Sequence, residues 1–139
     1  MNQTQRRRFL IEALLQENPQ YGQLTIPPQE EEQKKLLRSL FNLRPPQAAD
    51  ESFLQVQDAY LQTINAEKGV TDIRDLAPIG EGIYLWQGDI TTLAADAIVN
   101  AANSGMLGCF IPCHSCVDNA IHTFSGVQLR LTCAELMEK

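Results

Sequence analysis

The spacing of apolar residues changes near residue 80, and the change divides the chain in two. The first part has a helical period. Leu10, Ala13 and Leu14 stand at i, i+3 and i+4 within residues 5–17, and Asn18-Pro19 closes that pattern. Pro27-Pro28 precedes EEEQKKLLRSLFNL. Its acids fill the first turn and its bases follow, as the helix dipole favours, and Pro45-Pro46 ends it. Asp50 reads as the N-cap of a third helix with Phe53, Val56, Tyr60 and Ile64 on one apolar face, and Gly69 reads as its stop. Arg6-Arg7-Arg8 falls on the first helix and reads as a solvated face. Residues 1–78 are therefore expected to form a small helical extension.

Past that point the pattern becomes strand-like. GIYLWQGD predicts a strand over Ile83–Gln87, stopped at Gly88-Asp89. ITTLAAD predicts a short turn or helix. AIVNAAN, Ala97 to Asn103, is an apolar run of the kind a buried parallel strand shows. Ser104 to Pro112 is punctuated by Gly105, Gly108 and Pro112 and predicts a loop. A helix follows from Cys116 to about Thr123, with a break at Ser125-Gly126. A last helix carries Leu129, Cys133 and Leu136 on one face. Strand, connection, strand, loop and helix are the opening of an α/β layered domain. Two strands do not cover both faces of a parallel sheet, so residues 79–139 read as the incomplete N-terminal part of such a domain, and the chain as truncated.

Composition adds exclusions. With 139 residues, 44% hydrophobic and 20% charged, the chain is an ordinary globular protein. Its formal net charge of −6 does not attract phosphate backbones, so no nucleic-acid partner is expected. No run approaches the roughly 18 apolar residues that a membrane span needs, so no membrane partner is expected. The apolar stretch after Arg8 is broken at Glu12 and does not read as a signal peptide. Clustered cysteines without an export signal place the chain in the cytoplasm with its thiols reduced.

The candidate chemistry is concentrated in GCFIPCHSCVDNAIH, residues 108–122. That segment holds three of the four cysteines and both histidines. Cys109, His114 and Cys116 form a C-x4-H-x-C pattern. Thiolate and imidazole donors together suit zinc, and three protein ligands leave a fourth tetrahedral position open, as catalytic zinc sites do. Cys113-His-Ser-Cys116 is also a C-x-x-C pair, the form of a thiol redox site at a helix start. Buried cysteines can also serve as small hydrophobes, which suits Cys133. Spacing alone leaves all three readings open.

GDITTLAADAIVNAANSGMLG resembles the opening of a macrodomain, the module that recognises ADP-ribose. In that family a strand ends in Gly-Asp-Ile, here residues 88–90. A second strand ends in Asn-Ala-Ala-Asn, here residues 100–103. A glycine-containing loop follows, then a helix with an Asp-x-x-Ile-His core, here Asp118 to His122, and a small-residue break at Ser125-Gly126. Where ordinary macrodomains have a run of glycines, this chain has CFIPCHSC. In that respect it resembles the zinc-dependent branch, the microbial protein-ADP-ribose hydrolases, which also carry a helical extension.

The resemblance implies the N-terminal part of a three-layer α/β/α macrodomain, binding ADP-ribose and ADP-ribosylated protein. It implies zinc on Cys109, His114 and Cys116, and hydrolysis at the ribose C1 that joins ADP-ribose to a protein side chain. It assigns Asp89 to the exocyclic amine of adenine, with a backbone group of Ile90 beside it. Asn103 grips a ribose hydroxyl pair. Asp118 orients or deprotonates water near the anomeric carbon, so that Asn103 and Asp118 form the catalytic pair. The helix start at Cys116, Val117 and Asp118 favours a phosphate. Asn100 is structural, His122 is a core residue satisfied by one hydrogen bond, and Cys113 fills space. The family's second glycine-rich loop, which wraps the diphosphate, has no counterpart here. The alternatives are a reader that binds ADP-ribose without cleaving it and a C-x-x-C thiol oxidoreductase.

Overall fold

A computed structural model describes residues 1–139. Three helices form the first part: α1 (Gln3–Glu17), α2 (Glu30–Leu43) and α3 (Glu51–Lys68). Asn2 starts α1 with a capping box, accepting from Gln5 N at 2.9 Å while its own N–H donates to Gln5 Oε1 at 2.9 Å. Glu30, Glu31 and Glu32 fill the first turn of α2. Asp50 stands at the N-cap of α3 as expected, but its side chain makes no capping bond there. Gly69, with φ +87°, ends the helix.

The core lies between these helices. Leu10, Ile11 and Leu14 of α1 meet Leu37, Leu40 and Phe41 of α2 and Phe53, Tyr60 and Leu61 of α3, and all are buried. The burial follows the i, i+3, i+4 spacing. Val56 and Ile64 pack at its edge, half-buried. Arg7 departs from the expected solvated face. It is buried, donates to Gln33 Oε1 at 3.1 Å and pairs with Glu30 at 3.3 Å, because its place on α1 faces the start of α2.

The second part is mixed. β1 (Thr71–Asp72) pairs in parallel with β4 (Leu93–Ala94), and β2 (Pro78–Gly80) pairs antiparallel with β3 (Ile83–Tyr84). The predicted strand over Ile83–Gln87 is shortened to its first two residues. ITTLAAD becomes a 3₁₀ turn at Ile90–Thr92 followed by β4. The predicted buried strand over Ala97–Asn103 does not form. Ile98 is 41% and Val99 88% exposed, and no strand lies beside the segment to take its backbone hydrogen bonds.

Helices α4 (Val117–Ser125) and α5 (Val127–Met137) close the chain. The break expected at Ser125-Gly126 is a turn at Gly126, where φ is +82°. A Cβ there would lie 2.5 Å from the Gln57 side chain, so only glycine fits. Gln57, fully buried in α3, accepts from Val127 N at 2.9 Å and caps α5 from outside the helix. The packed face of α5 is not the expected Leu129–Cys133–Leu136 stripe, since Leu136 is exposed. The buried side chains of α5 are Val127, which joins the helical core, and Arg130.

Arg130 is one tie between the two parts. Its Nη1 donates to the carbonyls of Phe41 (3.2 Å), Asn42 (2.9 Å) and Arg44 at the end of α2, and its Nε donates to Leu107 O at 2.8 Å. A cation at the carbonyl end of a helix also meets the negative end of its dipole. Replacing Arg130 by methionine leaves these carbonyls buried without partners. The expected loss is about 2–4 kcal/mol of unfolding free energy in chemical denaturation, against about 0.5 kcal/mol or less for Arg8→Met on the surface. An Arg130→Met protein as stable as the wild type would contradict this role.

Candidate functional site

Residues 101–116 contain no helix or strand, so their positions depend on bonds from the packed elements. From α2, Asn42 Oδ1 accepts from Cys113 N at 2.9 Å and Arg38 Nη2 donates to His114 O at 3.2 Å. From α4, Asn119 Nδ2 donates to Ile111 O at 3.0 Å, and Asn119 Oδ1 accepts from Arg38 at 2.9 and 3.3 Å. Gly108, at φ +84°, lies flat against the His122 ring. A Cβ there would come within 2.7 Å of it.

So fixed, the loop brings Cys109 Sγ, His114 Nδ1 and Cys116 Sγ within 4.8 Å of one another. The Cys109 sulfur lies 3.7 Å from His114 Nδ1. Zinc–sulfur bonds of about 2.3 Å and zinc–nitrogen bonds of about 2.0 Å in a tetrahedron place S and N about 3.6 Å apart, so donor set and spacing fit this metal. Cys116 is the N-cap of α4, and its sulfur accepts from Asn119 N at 3.4 Å. His114 is exposed and the two cysteines are half-buried, which leaves the group reachable from solvent.

Cys113 faces elsewhere. At φ 54° its sulfur turns to Ser39 Oγ at 3.4 Å and Lys35 O at 3.5 Å, both on α2. The cysteine that a C-x-x-C redox pair requires is directed away from the cluster that holds Cys116. It is exposed, so it does not act as a buried hydrophobe.

Asp118 follows Cys116 by two residues in the first turn of α4, and it is buried. Its Oδ1 accepts from Asn100 Nδ2 at 2.8 Å, so Asn100 sets the orientation of this carboxylate. His122 is in the core as expected, but without a hydrogen bond. Its Nε2 lies 3.6 Å from Asp118 Oδ1, beyond hydrogen-bond distance, and its buried Nδ1 has no partner. Burial lowers its pKa below the usual 6.5 and Arg130 adds to this, outweighing the opposite pull of Asp118. Burial thus disfavours protonation of the ring.

Asn103 holds the loop's first turn, accepting from Gly105 N at 3.0 Å and donating to Gly108 O at 3.4 Å. Each end of its amide keeps one further bonding position. Asp89 caps the 3₁₀ turn, accepting from Thr91 N at 2.9 Å and Thr91 Oγ1 at 2.6 Å, and pairs with Lys68 at 3.4 Å. These bonds and the lysine charge outweigh partial burial and hold its carboxyl below the usual carboxylate range. Ile90 and Val117 are the first residues of their helical segments, so their N–H groups lack intrahelical partners.

No family model matches the chain. A protein of Treponema medium named protein-ADP-ribose hydrolase is 58% identical over 143 residues, covering all of this chain and 55% of its own length. This chain is similar, end to end, to protein-ADP-ribose hydrolases. The protein of that name from Staphylococcus aureus (strain MRSA252) is 47% identical over 135 residues, which is 96% of this chain and 50% of its own length. A Fusarium oxysporum f. sp. cubense protein named probable bifunctional ADP-ribose hydrolase/ADP-ribosyltransferase is 44% identical over 114 residues, 74% of this chain and 19% of its own. The chain thus spans about half the length of the two bacterial hydrolases. No helix is long and apolar enough to cross a membrane.

The spacing offers Cys109, His114 and Cys116 as metal donors as one reading among three. It gave no sign of Arg38, Asn42, Asn119 and Arg130, which hold the donor loop. Their only trace in the sequence is a polar residue where a helix packs.

Cys116→Ala is expected to abolish stoichiometric zinc uptake, and Cys113→Ser to leave it intact, by metal analysis of purified protein. Arg38→Met is expected to weaken zinc binding about 10–100-fold in chelator competition, the size of effect found for groups that orient metal ligands. Stoichiometric zinc in Cys116→Ala would show the ligand assignment to be wrong.

Proposed function

We propose that this chain carries the metal-binding part of a zinc-dependent protein-ADP-ribose hydrolase of the macrodomain type. It would act on ADP-ribosylated protein in the cytoplasm and cleave at the ribose C1. The observation that carries this reading is the convergence of Cys109 Sγ, His114 Nδ1 and Cys116 Sγ at the start of the helix that holds Asp118. The names of the similar proteins agree with it.

Cys109, His114 and Cys116 would hold the zinc, which when bound would supply a fixed positive charge and Lewis acidity toward substrate oxygens. Two thiolates temper that charge, which favours ribose positioning over water activation. Asp118 is the general base. Asn100 occupies its Oδ1 and leaves Oδ2 to take a proton from the water that attacks C1. Asn103 uses its remaining amide donor and acceptor on a ribose hydroxyl pair. The N–H groups of Val117 and Asp118, beside Cys116 at the helix start, face a phosphate. Asp89 accepts from the adenine amine, and the Ile90 N–H donates to the ring beside it.

The test is release of ADP-ribose from modified protein by the intact enzyme, with and without chelator. Chelation and Asp118→Asn should each lower release about 100-fold or more, with ADP-ribose binding retained in Asp118→Asn. Release unchanged by complete metal removal would take zinc out of the mechanism. Binding without release in the wild type would make the protein a reader.

A further inference from the structure

Lys68 is the last residue of α3 and is part of the helical layer. Its ammonium lies 3.4 Å from Asp89 Oδ2 and 3.4 Å from the centroid of the Phe124 ring on α4. One side chain thus joins α3, the 3₁₀ turn and α4. The two oxygens of Asp89 are used differently. Oδ1 is taken by the backbone and hydroxyl of Thr91, whereas Oδ2 faces Lys68 alone. Lys68 is 32% and Asp89 46% exposed at the side chain, so the pair is open to a ligand on one side. A carboxylate held only by its own turn can rotate as a unit with that turn. A cation seated on an aromatic face and anchored in another helix removes that freedom.

We propose that Lys68 is a positioning residue for the purine end of the ligand, fixing the Asp89 carboxylate so that selection of a 6-amino-purine depends on the helical layer. The inference rests on the reading of Asp89 as the acceptor for the adenine amine. An oxo-purine presents an acceptor oxygen to the same carboxylate and is repelled, so discrimination requires that Asp89 stay in place.

The experiment compares binding of ADP-ribose and inosine diphosphate ribose by the intact protein. Lys68→Met keeps the length of the stem and its contact with Phe124 but removes the charge. It should lower the ratio of the two affinities about three- to fivefold, the size expected of a half-exposed ion pair, and Lys68→Arg should restore it. In turnover, Lys68→Met should raise KM and leave kcat unchanged, a split that general loss of structure would not give. A ratio unchanged in Lys68→Met overturns the role of Lys68 while the adenine reading of Asp89 stands. Equal binding of the two ligands by the wild type overturns that reading and this role with it.

Discussion

The hydrogen bonds that Arg38, Asn42 and Arg130 make to the backbone of residues 107–114 govern the rest of the site. A loop without helix or strand has no internal ladder to define its shape. Here the carbonyls of Leu107, Ile111 and His114 and the N–H of Cys113 are instead held by side chains anchored in packed helices. Arg130 spends its guanidinium on both the end of α2 and Leu107, so the helical core and the loop are fixed together. A three-donor site for a metal follows only when this frame is in place, because donors a fraction of an ångström out of position lose much of their affinity. The helical layer thus holds the loop that carries Cys109, His114 and Cys116.

The same frame sets the chemistry around the donors. Cys116 is at once one of the three clustered side chains and the cap of α4, and its sulfur is oriented by Asn119 N. Asn119 in turn is held by Arg38, which also takes the carbonyl of His114. One polar chain therefore runs from α2 to two of the three clustered residues, Cys116 and His114. Next along α4, Asp118 is turned by Asn100, and His122 packs against Gly108 beneath the loop. Cys116 and Asp118 share the start of α4.

The helical part was legible in the sequence because its signals are local: apolar spacing, prolines and caps act within a few residues. The grouping of Cys109, His114 and Cys116 was legible for the same reason, as all three fall within one short loop. What escaped was set by distant partners. Arg7 is buried because Glu30 and Gln33 come to it from α2. Arg130 is buried because three carbonyls some 86–89 residues earlier converge on it. Nothing in the local pattern of either helix announces this. Ala97 to Asn103 shows the opposite failure. Its apolar run has the composition of a buried strand, but a strand exists only with a neighbour, and none lies beside it here. Asn100 read as structural, and the geometry gives that structure a target, the carboxylate of Asp118.

The central claim is that two sulfurs and one imidazole grip a zinc ion and leave one position free. Zinc-edge X-ray absorption on the intact protein measures this most directly. The account predicts two sulfur neighbours at about 2.3 Å and two nitrogen or oxygen neighbours at about 2.0–2.2 Å, unchanged in Cys113→Ser. A third sulfur in the shell, closing the site with Cys113, would contradict it, as would folded protein that takes up no stoichiometric zinc.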